Sequence, residues 1–292
     1  MKKNQRNILY FLLTVLAVTA SVFMIYIWRE RFSGKDNAPV IICPTESISV
    51  SVDSMSDYST LLRDVTAIDV EDGDITSSIV VESVSQFVEE GHCIVTYAAF
   101  DSAKNVSKLT RHLFLSDYTP PKFSITDPLV FNYSSSFNPL SLIRAYDCID
   151  GDISDRIKMS LKNPEDELSS VGAHMVEFKV TNSLGDVSVI ETEIDVLDRT
   201  YTETRMTPVI KLEDYIVYIE CYDHIDPMSM VEGVTVGGTF YKIGEFPAES
   251  MSVDSDDVSY STPGVYHILF TCENKEYVGS AVLIVFVSEV NR

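Results

Sequence analysis

The chain has 292 residues, 45% of them hydrophobic, which is enough for about two or three ordinary folded domains and too apolar for a disordered chain. It carries 44 acidic against 22 basic residues; six basic residues and one acidic residue fall in the first 35 positions, so residues 36–292 hold 16 basic against 43 acidic, a net charge of −27. A body of that sign repels nucleic acid and anionic lipid and attracts cations and basic partners, so no nucleic-acid partner is expected.

From Ile8 to Trp28 the chain reads ILYFLLTVLAVTASVFMIYIW, 21 residues without a charge. At 1.5 Å per residue this run matches the ~30 Å hydrocarbon core of a bilayer. The expectation is a cytoplasmic tail at 1–7, a transmembrane helix at 8–28 and a juxtamembrane linker at 29–38. A cleaved signal peptide is the competing reading, since Val18 and Ala20 are small, but the apolar run continues eight residues past Ala20. Lys2, Lys3 and Arg6 face Arg29, Arg31 and Lys35, the latter diluted by Glu30 and Asp36. That asymmetry places the amino terminus inside, in a single-pass protein of the cell membrane whose carboxy-terminal body is extracellular.

Beyond the anchor the pattern changes to short alternating strands, as in HCIVTYAAF (92–100), HMVEFKV (174–180), VIETEIDVL (189–197) and AVLIVFV (281–287). Pro39, Pro121 and Pro208 each precede an apolar pair spaced by two, as an edge strand entering a sandwich would. Three all-β domains follow, at 39–118, 119–199 and 200–292, the last degenerate. Strands of about seven residues give sandwiches ~25 Å tall, and three end to end would reach on the order of 75 Å.

The domains repeat. AIDVEDGDIT (67–76) returns as AYDCIDGDIS (145–154), and CYDHID (221–226) reads as a third copy. Likewise VGAHMVEFKV (171–180) returns as PGVYHILFTC (263–272). The order of apolar strand, acidic decapeptide, glycine, VTYAAFDSAKN (95–105), strand and D.TPP (117–121) resembles bacterial immunoglobulin-like repeats of surface proteins and some insecticidal crystal proteins, which are similar to hyalin repeats. The resemblance covers about 39–290 and implies seven-stranded Greek-key sandwiches displayed outside the cell, without naming a ligand. It also implies that Cys221 and Cys272 occupy the strand positions which in such sandwiches carry a core disulfide; two small buried hydrophobes are the other reading. Cys43 and Cys93 read as core thiols, and Cys148 lies in the acidic loop of the second copy.

Catalysis finds little support and no enzyme is expected. His92, His112, His174, His224 and His267 are scattered, without zinc spacing, a nucleophile elbow or a phosphate-cradling loop. The sole tryptophan, Trp28, sits in the apolar run, so aromatic sugar platforms would have to be tyrosines.

The acidic decapeptide supports two readings. One is a turn in which glycine takes a positive φ and aspartates bond the backbone. The other is a calcium site, since Asp69, Asp72 and Asp74 crowd three carboxylates into six residues. If Ala67 and Ala99 face each other across the core, Asp69 and Asp101 emerge at one pole; in the second copy Asp147, Asp150, Asp152 and Asn182 gather near the joint carrying Asp117. The expected function is a membrane-anchored surface protein whose tandem domains serve adhesion or act as a binding stalk, with an extracellular protein or glycan as ligand. The alternative is an extracytoplasmic subunit of a membrane-embedded envelope assembly or sensory complex.

Overall fold

The computed structural model describes residues 2–32, 38–133, 136–245 and 251–289. Positions 1 and 33–37 of the expected tail and linker, and the side chains of 2–11 and 29–32, lie outside the described residues. Helix α1 (Lys2–Phe32) carries the apolar run. Among the described residues no helix is long and apolar enough to cross a membrane. Over residues 12–28 every side chain of α1 is exposed, Leu16 at 64% and Met24 at 67%.

The chain divides into two units between Tyr118 and Thr119. The first holds β1 (Val40–Ile42), β2 (Ser47–Val50), β3 (Thr66–Asp69), β4 (Gly73–Asp74), β5 (Val80–Val84), β6 (His92–Phe100) and β7 (Val106–Leu115). They form two sheets, in the orders β1-β3-β4 and β2-β7-β6-β5. Alternation decides which face is inside: Cys93, Val95, Tyr97 and Ala99 on β6 point inward with Leu113 on β7, all 0% exposed. Tyr97 keeps its hydroxyl satisfied by donating to Leu61 O at 2.7 Å. β2 runs parallel to β7, so the chain crosses from one sheet to the other between β1 and β2.

The second unit repeats the plan twice. Its first sandwich has β8 (Lys122–Ile125), β9 (Val130–Asn132), β10 (Ile143–Asp147), β11 (Gly151–Asp152), β12 (Lys158–Leu161), β13 (Gly172–Thr181) and β14 (Val187–Leu197), in sheets β11-β10-β8 and β12-β13-β14-β9. After the short helix α2 (Tyr201–Met206) come β15 (Val209–Leu212), β16 (Ile216–Glu220), β17 (Val231–Val236), β18 (Thr239–Lys242), β19 (Met251–Asp254), β20 (Gly264–Asn274) and β21 (Tyr277–Ser288). These make sheets β15-β17-β18 and β16-β21-β20-β19. Seven strands split three and four thus recur in each described sandwich, the last three forming a consecutive meander closed by the parallel second strand.

Within the second unit the sandwiches do not stand end to end. Lys211 Nζ reaches Thr126 O at 2.6 Å and Asp127 at 2.9 Å, Asp214 accepts from Ser124 Oγ at 2.8 Å, and the Tyr218 hydroxyl accepts from Phe123 N at 2.6 Å. Numbers ascending from 211 to 218 meet numbers descending from 127 to 123, so the last sandwich lies alongside the edge strand β8. One continuous apolar cluster joins them, with Ile125, Leu129, Tyr215 and Ile216 all buried.

The third copy also corrects the repeat register. The partner of β15 is β17, with Val234 opposite Ile210 as Ala145 is opposite Phe123. Val234 therefore holds the place expected of Cys221, which instead follows β16. The acidic turn has been replaced by Gly237 and Gly238, at φ +63° and +81°, the two positive φ angles a tight hairpin needs. The expected disulfide fails with the register. Cys221 N donates to Ser288 O at 2.8 Å, whereas Cys272 pairs with Gly279, nine residues back along the same strand. That separation is ~30 Å, against the ~7 Å a disulfide tolerates. Both thiols are free, and both are buried.

Candidate functional site

The acidic poles are built twice from the same bonds. Asp69 Oδ1 accepts from Glu71 N and Asp72 N at 2.8 and 2.9 Å; Asp147 Oδ1 accepts from Ile149 N and Asp150 N, both at 2.9 Å. Asp74 accepts from Thr76 N at 2.9 Å and Asp152 from Ser154 N at 3.0 Å, while the Thr76 and Ser154 hydroxyl oxygens accept from Ala67 N and Ala145 N. The glycine between them, Gly73 or Gly151, sits at φ +76° or +73°.

The turn is then tied to the loop after the sixth strand. Asp72 accepts from Ser102 N and Oγ at 2.7 and 2.9 Å, and Asp150 accepts from Ser183 N and Oγ at 2.6 and 2.8 Å. Arg156 adds an ion pair to Asp150 at 2.6 Å. The structure therefore brings the expected residues of each copy to one pole, and it occupies their carboxylates with N–H and O–H donors. Asp101 is held by Asn105, through N at 2.7 Å and Nδ2 at 2.6 Å, and Asp117 accepts from Val52 N at 2.7 Å within the first unit. In the third copy Asp226 caps a short helical turn by accepting from Met228 N, and Asp223 lies in the loop before β17. Among the described residues no group of three or more His, Cys, Asp or Glu could hold a metal ion.

These donors set the electrostatics. Backbone N–H groups of Asp72 and Glu71 hold the Asp69 carboxyl below its usual range, and Thr76 and Ser154 do the same for Asp74 and Asp152. Burial opposes ionisation of Asp150, but the Ser183 donors and Arg156 overcome it and its pKa is also lowered.

One oxygen of the first copy stays without a donor. Asp69 is 5% exposed and its Oδ2 has no hydrogen-bond partner. The equivalent Asp147 Oδ2 accepts from Asn182 Nδ2 at 3.1 Å. Asp101 stands where Asn182 does in the repeat, so the donor has become an acceptor.

Two other features escaped the reading by motif. His92 and His112 are brought together on the outer face of β6 and β7, with His92 Nε2 and His112 Nδ1 2.9 Å apart. Ile94 pairs with His112 and His92 with Phe114, so the imidazoles are diagonal neighbours. Counting back from the hairpin turn at 101–105 would have placed them together, whereas their spacing in sequence did not. The second feature is a cleft of about 320 Å³ in the second unit, bounded by Phe131, Asn132, Arg199, Thr204 and Pro208. Asn132 Nδ2 spans it, donating to Arg199 O at 2.8 Å and Thr204 Oγ1 at 3.1 Å.

No protein-family model matches the chain, and no curated protein matches it. Among solved structures it is similar to the CBM51-2 and INT domains of ZmpB from Clostridium perfringens, at 20% identity over 51% of this chain and 25% of that one, with a TM-score of 0.21. It is also similar to Drosophila N-cadherin EC1-4, at 14% identity over 88% of this chain and 67% of that one, TM-score 0.21. A third is protocadherin gammaB7 EC3-6, at 12% identity over 86% and 76%, TM-score 0.18. The chain thus spans about a quarter of the length of the ZmpB chain. At such TM-scores these likenesses carry no weight on function, and the fold rests on the strand registers above.

Proposed function

We propose that the protein is a membrane-anchored surface protein whose immunoglobulin-like β-sandwich body binds an extracellular protein or glycan. The observation that carries this reading is α1. Across residues 12–28 it presents leucine, valine, phenylalanine, isoleucine and tryptophan on all sides, with Phe23 at 61% and Trp28 at 64% exposed. A helical stretch that is apolar and exposed on all sides needs an apolar surrounding, and the lipid tails of a bilayer supply one. The uncharged run of 21 residues in the sequence supports the same reading. The body is read as a binding scaffold rather than an enzyme, because the carboxylates at its poles, Asp69 Oδ2 apart, are engaged in holding their own loops.

The test begins with membranes extracted by alkaline carbonate and then by detergent. The full chain should be released by detergent alone, and its peptides should include Met1–Arg6; a mature terminus at Ser21 would overturn the anchor. The body, residues 36–292, is then offered to intact cells and to glycan arrays. Saturable binding supports the adhesion reading. Crosslinking in native membranes that recovers only an integral-membrane complex would favour the assembly-subunit alternative.

A further inference from the structure

We propose that His92 and His112 form a binding site for a divalent transition-metal ion such as Zn²⁺ or Cu²⁺ on the outer face of the first sandwich. The two ring nitrogens already face each other at 2.9 Å. Two imidazoles bound to one zinc at ~2.0–2.1 Å in tetrahedral geometry hold their nitrogens about 3.4 Å apart. The pair therefore has to open by about half an ångström, and each ring has to turn by about 35° so that its lone pair leaves the line between the nitrogens and points to a common ion, changes that side-chain torsions supply without strand movement.

Everything that aims the rings is rigid. β6 and β7 are paired along nine positions from His92–Phe114 to Phe100–Val106, and the residues beneath them, Cys93 and Leu113, are fully buried. The His92 ring stacks on Phe114 with centroids 4.5 Å apart, which limits its rotation. Each histidine is also fixed through its backbone: His92 N donates to Glu89 O at 2.9 Å and His112 N to Glu46 O at 3.0 Å. Exposed glutamates therefore flank both, on a body whose net charge already concentrates cations.

Space remains for the other ligands of the ion. His112 borders an open groove of about 530 Å³ lined also by Cys43, Thr45 and Glu46, wide enough for water to complete the shell. Metal-free, the facing nitrogens share one proton, one ring donating and the other accepting. On binding, that proton moves to the remote nitrogen of its own ring, and both facing lone pairs reach the ion. Imidazole nitrogen suits Zn²⁺, Cu²⁺ and Ni²⁺ and does not suit Mg²⁺ or Ca²⁺.

The full chain in detergent micelles is titrated with ZnCl₂ in the presence of excess MgCl₂. A saturable site is expected, weakened at least tenfold by His92→Ala and by His112→Ala and unchanged by His267→Ala. Cu²⁺ bound to the wild-type chain should show hyperfine coupling to two nitrogens, lost in His112→Ala. A readout without mutation is carbethoxylation: Zn²⁺ should protect His92 and His112 while His267 reacts at its unprotected rate. Absence of saturable binding up to millimolar Zn²⁺ overturns the site. So does binding that neither substitution moves, or equal modification of all three histidines with and without the ion.

Discussion

Asn182 donates through Nδ2 to the buried Asp147 Oδ2 at 3.1 Å, and the same two strand positions in the first sandwich hold Asp101 and Asp69, two carboxylates. One module thus closes its pole with a donor, and its sibling leaves Asp69 Oδ2 without one. Asp101→Asn should supply the missing N–H while its remaining oxygen still accepts from Asn105 N; the bond from Asn105 Nδ2 to the replaced oxygen is lost, and Asn105 recovers it by turning its amide so that Oδ1 accepts from the new NH2. The expected outcome is a rise of a few degrees in the first transition by calorimetry. The same change at exposed Asp53 serves as control, and a lower melting temperature for Asp101→Asn would refute the pairing.

The turn and calcium readings of the decapeptide part at Asp150 and Asp152. In the structure their oxygens are taken by Ser183, Arg156 and Ser154. Asp150→Ala strips the Ser183 loop of two charge-assisted bonds and should cost about 1–3 kcal/mol. If turn bonding is the whole role, that loss is equal in millimolar calcium and in chelator, and so is the effect of adding Asp152→Ala. A loss confined to calcium would restore the cation reading.

The depressed carboxylates give the acid limb a definite sign. Asp69, Asp74, Asp150 and Asp152 all titrate below the ordinary aspartate value of 3.8 when folded. Their contribution is therefore fully present above that unfolded value and is lost as pH falls through the lower folded values. Denaturant midpoints should be flat near neutrality and drop below about pH 4. Burial raises the Asp195 carboxyl and so acts in the opposite sense, but four lowered groups oppose this one; a midpoint that still rose on acidification in Asp195→Asn would show the assigned donors to be absent.

How far the sequence could be read differs between the copies, for physical reasons. The first two decapeptides encode their structure locally: Asp–x–x–Asp–Gly–Asp places side-chain acceptors two or three residues from the N–H groups they take. The third copy misleads because CYDHID keeps the letters without the role. Its true β17 hairpin was written in VTVGGTF, where β-branched residues flank two glycines. What no local pattern contains is the parallel pairing of β16 with β21, which depends on residues 68 apart such as Ile216 and Ile284. The histidine pair was hidden the same way, since its 20-residue separation has meaning only through hairpin register.

The cysteines should behave as five free thiols of unequal reactivity. Cys148 is exposed, with Sγ near Thr119 O at 3.2 Å, and should label first. Burial pushes Cys93 and Cys272 up to about 11, so at neutral pH they are protonated and inaccessible. Mass spectrometry after brief alkylation of the native chain should find Cys148 modified and Cys93, Cys221 and Cys272 intact, with all five modified after unfolding without reductant. A Cys221–Cys272 peptide in the unreduced digest would contradict the strand register.

Tyr218 tests the lateral packing of the second unit. Its hydroxyl accepts from Phe123 N at 2.6 Å and donates to Phe123 O at 3.3 Å. It thereby caps both polar groups of a residue on β8, the edge of its sheet. Burial, only partly offset by the Phe123 N–H, pushes the phenol up to about 12, so it stays neutral and able to donate. In Tyr218→Phe the ring still stacks on Phe286, at a centroid distance of 5.0 Å, but the Phe123 N–H and C=O lose their partner. The expected cost is about 1–3 kcal/mol. Tyr266→Phe, which removes a bond to Thr262 O on an exposed loop, should cost under ~0.5 kcal/mol. Because the apolar cluster runs through both sandwiches, calorimetry of the wild type should show residues 119–289 melting as one transition, and Tyr218→Phe should lower it or split it in two. Equal melting temperatures for the two variants would mean that Tyr218 does not cap this edge.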